Sequence, residues 1–201
     1  MLRMLTERDE RILLHLEKFK FMSRDQIRRV FELGTVRNAN RVLRELGEYL
    51  YRVQDGHQSI YYLNKEGRQY VGSDEIVKKS GQVQHCLMRN DFWLFVNRPK
   101  DWLNEVEVSN KKGTVRVVSD AKYSIGGIVH LVEIDHLQHM RENREKIKKY
   151  AELLPAYALQ MGHFPVLDWV TTTELRKQQL QEACKEKGLV CRVYLHREIK
   201  H

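Results

Sequence analysis

The chain has 201 residues, 42% hydrophobic and 31% charged, enough for one ordinary domain plus a small one or for a single larger domain. No apolar run approaches the roughly 18 to 20 residues that span a bilayer, and the N-terminus turns charged before a signal-peptide core can form; the expectation is a cytoplasmic protein with no membrane partner. Cys86, Cys184 and Cys191 are too few and too scattered for a disulfide framework or a structural zinc site, and a formal net charge of +8 favours a polyanionic partner.

Thr6, with Asp9 three residues on, marks the start of a first helix in which Ile12, Leu13, Leu16 and Phe19 recur at helical spacing. Ser23 caps a second helix that carries Ile27, Val30 and Phe31 and ends near Gly34. A third helix, from Thr35 to about Tyr49, is expected to bury Val36, Ala39, Val42, Leu43 and Leu46 and to present Arg37, Asn38, Asn40, Arg41 and Arg44 on its other side. Two strands follow, Leu50 to Val53 and Ser59 to Leu63, joined by a turn with the Asp55-Gly56 hairpin signal, and Asn64 opens one more short helix. Arg24, Arg28, Arg29, Arg37, Arg41 and Arg44 stand against only Asp25 and Glu32 across residues 24 to 44, an arginine cluster on predicted helices.

Helix, helix, helix, hairpin, with Tyr62-Leu63-Asn64-Lys65-Glu66-Gly67 at its exit, resembles a winged helix-turn-helix domain over the first third of the chain. That resemblance implies double-stranded DNA as partner. It assigns groove or phosphate contacts to Arg28, Arg37, Asn38, Asn40, Arg41 and Arg44, with Arg52 and Gln58 on the hairpin wing. Arg and Asn are also the side chains that pair bidentately with guanine and adenine edges.

Residues 73–81 are polar and suit a hinge, which places an N-terminal domain at 1–72 and a second domain at 82–201. The second domain is expected to open with a helix from Val83 to about Val96, stopped by Pro99, then strands at Trp102 to Val108, Val115 to Asp120 and Ile128 to Asp135. A helix from about Met140 to Leu154, a strand from Phe164 to Thr171, a helix from Thr173 to Lys187 and a strand from Leu189 to Leu195 complete it. Gly126 and Gly127 supply the positive φ of a hairpin turn, so the strands ending in Asp120 and Asp135 lie side by side. Asp120, Glu133 and Asp135 are thereby gathered, with Glu133 and Asp135 on one face by the two-residue period, and their mutual repulsion calls for a cation, a proton or a basic side chain.

Ser119-Asp120, a gap of twelve residues, then Glu133-Ile134-Asp135 resembles the acidic pattern of the PD-(D/E)xK nucleases. The implied fold is α+β overall, a winged helix-turn-helix followed by a restriction-endonuclease-like domain with a mixed central sheet. In that superfamily the acids hold Mg²⁺ or Mn²⁺ and a lysine serves the attacking water, which makes Asp120, Glu133 and Asp135 the candidate catalytic and metal-binding residues. Asp135 stands where the lysine belongs, and Lys122 or Lys146 is the available substitute. The whole array of winged helix, His85 with Asn90-Asp91, Ser119-Asp120-Ala121, Val132-Glu133-Ile134-Asp135 and Lys146 through Tyr150 resembles the replication-relaxation family of plasmids, phages and integrative elements. This implies a sequence-directed DNA-binding protein of a mobile element in a bacterial or phage-infected cell, acting in replication, relaxation or their regulation. It would pair as a homodimer or with a replication or relaxation protein and carry a degenerate nuclease-like domain. The alternatives are an active Mg²⁺-dependent endonuclease or nickase and a winged-helix transcriptional regulator.

Overall fold

The structure, a computed structural model, describes residues 4–77 and 82–200. It is an α+β protein whose two compact units divide between Asn90 and Asp91, within one helix. Residues 78–81 of the expected hinge lie outside the described residues.

The first unit begins with α1 (Glu7–Phe19), whose cap is reciprocal: Thr6 Oγ1 accepts the Asp9 N–H and Asp9 Oδ2 accepts the Thr6 N–H. A two-residue strand β1 (Met22–Ser23), which no periodicity announces, leads into α2 (Arg24–Val30), capped the same way by Ser23 and Gln26. The helix stops at Val30 rather than near Gly34, because Glu32 takes a φ of 50° and turns the chain out of the helix. Then α3 (Val36–Glu45) starts from the Thr35 cap and ends four residues before Tyr49. It buries Ala39, Val42 and Leu43, and Leu46 at its end, whereas Val36, in the open first turn, is 42% exposed.

Strands β2 (Leu50–Asp55) and β3 (Gln58–Leu63) form the hairpin across Gly56-His57, and β1 pairs with the other edge of β3, so the sheet order is β1-β3-β2. Asn64 caps α4 (Lys65–Val71) through the Gly67 N–H. The helix α5 (Gln82–Phe95) contributes Val83, Cys86 and Leu87 to a cluster with Phe21 and Ile60 in this first unit.

The second unit is built on a five-stranded mixed sheet in the order β4-β5-β6-β7-β8. Strands β4 (Leu103–Ser109), β5 (Arg116–Ile125) and β6 (Ile128–Asp135) are antiparallel neighbours, and Gly126 and Gly127, both at positive φ, make the two-residue turn between the last two. Strands β7 (Val166–Thr171) and β8 (Cys191–Leu195) continue the sheet in parallel, reached through α6 (Met140–Met161) and α7 (Glu174–Glu186), and the short α8 (His196–Ile199) closes the chain.

Helix α6 does not end at Leu154. It runs through Pro155, since Leu153 and Leu154 before the proline and Ala158 after it are buried against the sheet, and that packing outweighs the lost backbone bond; Gly162 at φ 77° ends it. Ile147, Leu153, Leu154, Leu180 and Cys184 from α6 and α7 pack on Leu131, Leu167, Trp169 and Val193 of the sheet. The opposite sheet face carries Tyr123, which stacks with Trp102, while Phe92 of α5 packs against Tyr194. No helix among the described residues is long and apolar enough to cross a membrane.

Candidate functional site

Two regions gather the polar residues singled out above, one in each unit. In the first unit, Arg37, Asn40, Arg41 and Arg44 are exposed on α3, along an open groove of about 670 Å³. Positions 37, 40 and 44 recur at three and four residues and therefore form one stripe. Among the described residues Arg37, Asn40 and Arg44 engage their side chains in no hydrogen bond or ion pair.

Their neighbours are committed to local structure. Asn38 Nδ2 donates to the Leu33 carbonyl at 2.8 Å and its Oδ1 accepts from Arg41, which also pairs with Glu45 at 2.6 Å. Arg28 donates to the Gly34 carbonyl at 3.0 Å and lies 3.5 Å from Asp25, so it braces the turn into α3. On the hairpin, Arg52 donates to Ser59 Oγ at 3.0 Å, and Gln58 sits half-buried beside the turn, opposite Asp55.

In the second unit β5 does not stop at Asp120 but runs on to Ile125, so Asp120 lies in mid-strand and only Asp135 ends its strand, and the three acids have separate partners. The paired register ends at Ala121↔Val132, next to the acids, and beyond it Asp120 Oδ2 accepts the Ile134 N–H at 2.7 Å, near enough to Glu133 for its charge to act there. Glu133 is 1% exposed. Lys146 of α6 places its ammonium 2.5 Å from Glu133 Oε2, while the Tyr150 hydroxyl donates to Oε1 at 2.5 Å. Burial first, and the nearby Asp120 charge second, push the Glu133 carboxyl up to about 8 against the pull of Lys146 and Tyr150. Burial alone would depress Lys146, but the facing carboxylates of Glu133 and Asp120 outweigh it and hold the ammonium above its ordinary range.

Asp135 is enclosed differently. Its Oδ1 accepts from Asn143 Nδ2 at 2.7 Å; its Oδ2 accepts from Thr171 Oγ1 at 2.8 Å and lies 3.1 Å from Arg176 Nε. One carboxylate thus ties β6 to α6, β7 and α7. Lys122 stands half-buried in mid-strand between Leu103 and Leu131, away from these pairs. Asp91 pairs with His196 at 2.8 Å, not with the acidic cluster, and Asn90 Nδ2 donates to the Phe21 carbonyl in the first unit. Among the described residues no three His, Cys, Asp or Glu side chains gather in a way that would hold a metal ion.

Three of the partners, Asn143, Thr171 and Arg176, are not singled out in the sequence, and Tyr150 enters there only as the end of the Lys146-to-Tyr150 motif, with no role toward Glu133. Asn143, Lys146 and Tyr150 do share an i, i+3, i+7 stripe, a legible signal hidden in a run of surface charge. A second buried polar group was also missed: Asp168 Oδ2 lies 2.7 Å from the Tyr123 hydroxyl and 2.6 Å from His130 Nδ1, on the aromatic face of the sheet. Burial, and then the Asp168 charge, push the Tyr123 phenol far up.

The family model described as replication-relaxation matches residues 13–167. No curated protein matches the chain.

Proposed function

Because the chain belongs to the replication-relaxation family, we propose that it is a double-stranded DNA-binding protein of a mobile genetic element, acting in replication, relaxation or their regulation. The first unit serves in this reading as a winged helix-turn-helix, with α3 entering the major groove and the β2–β3 hairpin as its wing. The carrying observation is the stripe of Arg37, Asn40 and Arg44, exposed and uncommitted to the protein. Cationic and amide side chains held on a rigid helix without internal partners are what base-edge and phosphate recognition needs.

The second unit is, in the same reading, a nuclease-like fold whose chemistry has lapsed. The helix, three-strand meander, helix, parallel strand order supports that kinship. Against catalysis stand the partners of the acids: Lys146 covers Glu133 and Arg176 covers Asp135, so the cluster is neutralised by the chain's own cations. Asp120, Glu133 and Asp135 therefore do not fit Mg²⁺ or Mn²⁺ as they stand. One observation favours the alternative of a metal-dependent nuclease: Asp120 and Glu133, on the adjacent strands β5 and β6, are close enough for the Asp120 charge to raise the Glu133 carboxyl.

Gel shift of duplex DNA across a salt series tests the binding reading. The affinity is expected to fall linearly with salt on logarithmic axes, and less steeply for Arg44→Ala. Absence of any shift at low salt would refute it.

A further inference from the structure

A second groove in the first unit, of about 380 Å³, is lined by Arg24, Asn40, Leu43, Arg44, Arg52 and Tyr61, among others. Three guanidinium groups share it, and no carboxylate lines it. Like charges gathered around one cavity repel one another unless an anion is seated between them. The sheet explains the convergence. Tyr61 of the central strand β3 has Met22 of β1 on one side and Arg52 of β2 on the other, and Arg24 follows Met22 by two residues. The cavity therefore has Tyr61 in its lining, Arg52 entering from the flanking strand β2, Arg24 from the first residue of α2, directly after β1, and Arg44 from α3.

The three cations are held to different degrees. Arg52 is oriented by its bond to Ser59 Oγ, which in turn donates to Gln54 Oε1 at 3.1 Å. Arg24 has a long contact of 3.5 Å to Asp25 Oδ2, and Arg44 has no partner among the described residues. Guanidinium forks pair bidentately with phosphate oxygens, and the lone pairs of the two non-bridging oxygens of a phosphodiester can accept from more than one such fork at once.

We propose that this groove is a phosphate seat: Arg24, Arg44 and Arg52 clasp one phosphodiester of the DNA backbone and so fix the register in which Arg37 and Asn40 meet base edges. The proposal rests on the DNA-binding reading and adds Arg24 to its contacts. It separates a sequence-independent clamp from the base-reading part of α3.

Fluorescence anisotropy of the full chain on several duplexes of different sequence, each over a salt series, tests it with Arg24→Gln and Arg52→Gln. Retained thermal midpoints confirm that both variants fold; neither side chain is part of the core. The expected result is a loss of affinity of about five- to tenfold, equal on every duplex, with a salt slope smaller by about one for each variant. Unchanged affinity and slope in both variants, with wild type still binding, would overturn the seat and leave DNA binding standing. A loss confined to one duplex sequence would overturn it too, because it would make these arginines base readers. If wild type bound no duplex, the DNA-binding reading itself would fall and the seat with it.

Discussion

Glu133 shows how one buried carboxyl is reconciled with its surroundings. Its folded pKa, pushed up to about 8, stands above the ordinary 4.5, so the stability it contributes is fully present below that ordinary value and is lost as pH rises through about 8. Denaturant midpoints measured from about pH 5 to about pH 8 should fall for wild type and flatten for Glu133→Gln, which cannot ionise. Lys146→Met should do the reverse: with the ammonium gone the ionised carboxylate is left buried beside Asp120, and a loss of about 2 to 4 kcal/mol is expected at the alkaline end, shrinking where Glu133 takes a proton. A loss independent of pH would mean that Lys146 acts only through the packing of its stem. That Asp120 and Glu133 would meet was readable from the paired glycines and the strand period. That their counter-charge would be Lys146 was not, because the sequence left a cation, a proton or a basic side chain open and offered Lys146, with Lys122, only as a substitute for the missing lysine of the nuclease pattern; how α6 docks is set by packing that no local pattern specifies.

At the scale of elements, α3 and α4 show what local sequence decides and what it leaves open. Caps at Thr6, Ser23, Thr35 and Asn64 stand where hydroxyl or amide side chains precede apolar periodicity. Ends were less legible: α6 passes a proline, and β1 exists only because β3 offers it an edge, a long-range fact. Close approach is equally invisible in sequence. A Cβ on Gly67 would lie 2.2 Å from the Tyr49 carbonyl oxygen, which itself accepts the Asn64 N–H. Gly67→Ala should thus cost about 1 to 3 kcal/mol in a thermal or denaturant melt, despite the gain in helix propensity. On α3, Arg37→Ala should relax the preference at a single base position in a selection from random duplexes, at a cost of about 1 to 3 kcal/mol for the preferred base. An unaltered selected motif would remove Arg37 from the base readers.

Across the whole molecule, a net charge of +8 is spent unevenly. In the first unit, arginines lie exposed on one helix and around one groove; in the second, Lys146 and Arg176 turn inward to neutralise Glu133 and Asp135. The same kind of charge is thus placed in opposite ways, one set exposed to solvent and the other paired with buried carboxylates. The antiparallel pairing of β5 with β6 was legible from the paired turn glycines, whereas the mixed sheet was implied only by the resemblance to the nuclease fold. The buried Asp168, His130 and Tyr123 were not, because each sits singly in an apolar strand and meets the others only through the sheet.

The central claim, DNA binding without cleavage, is tested most directly by incubating the protein with supercoiled plasmid in Mg²⁺ and in Mn²⁺ and running the DNA before and after deproteinisation. The account predicts a retarded complex that returns to intact supercoiled plasmid once protein is removed. Nicked or linear product from wild type, absent with Asp120→Ala and Glu133→Ala, would contradict it.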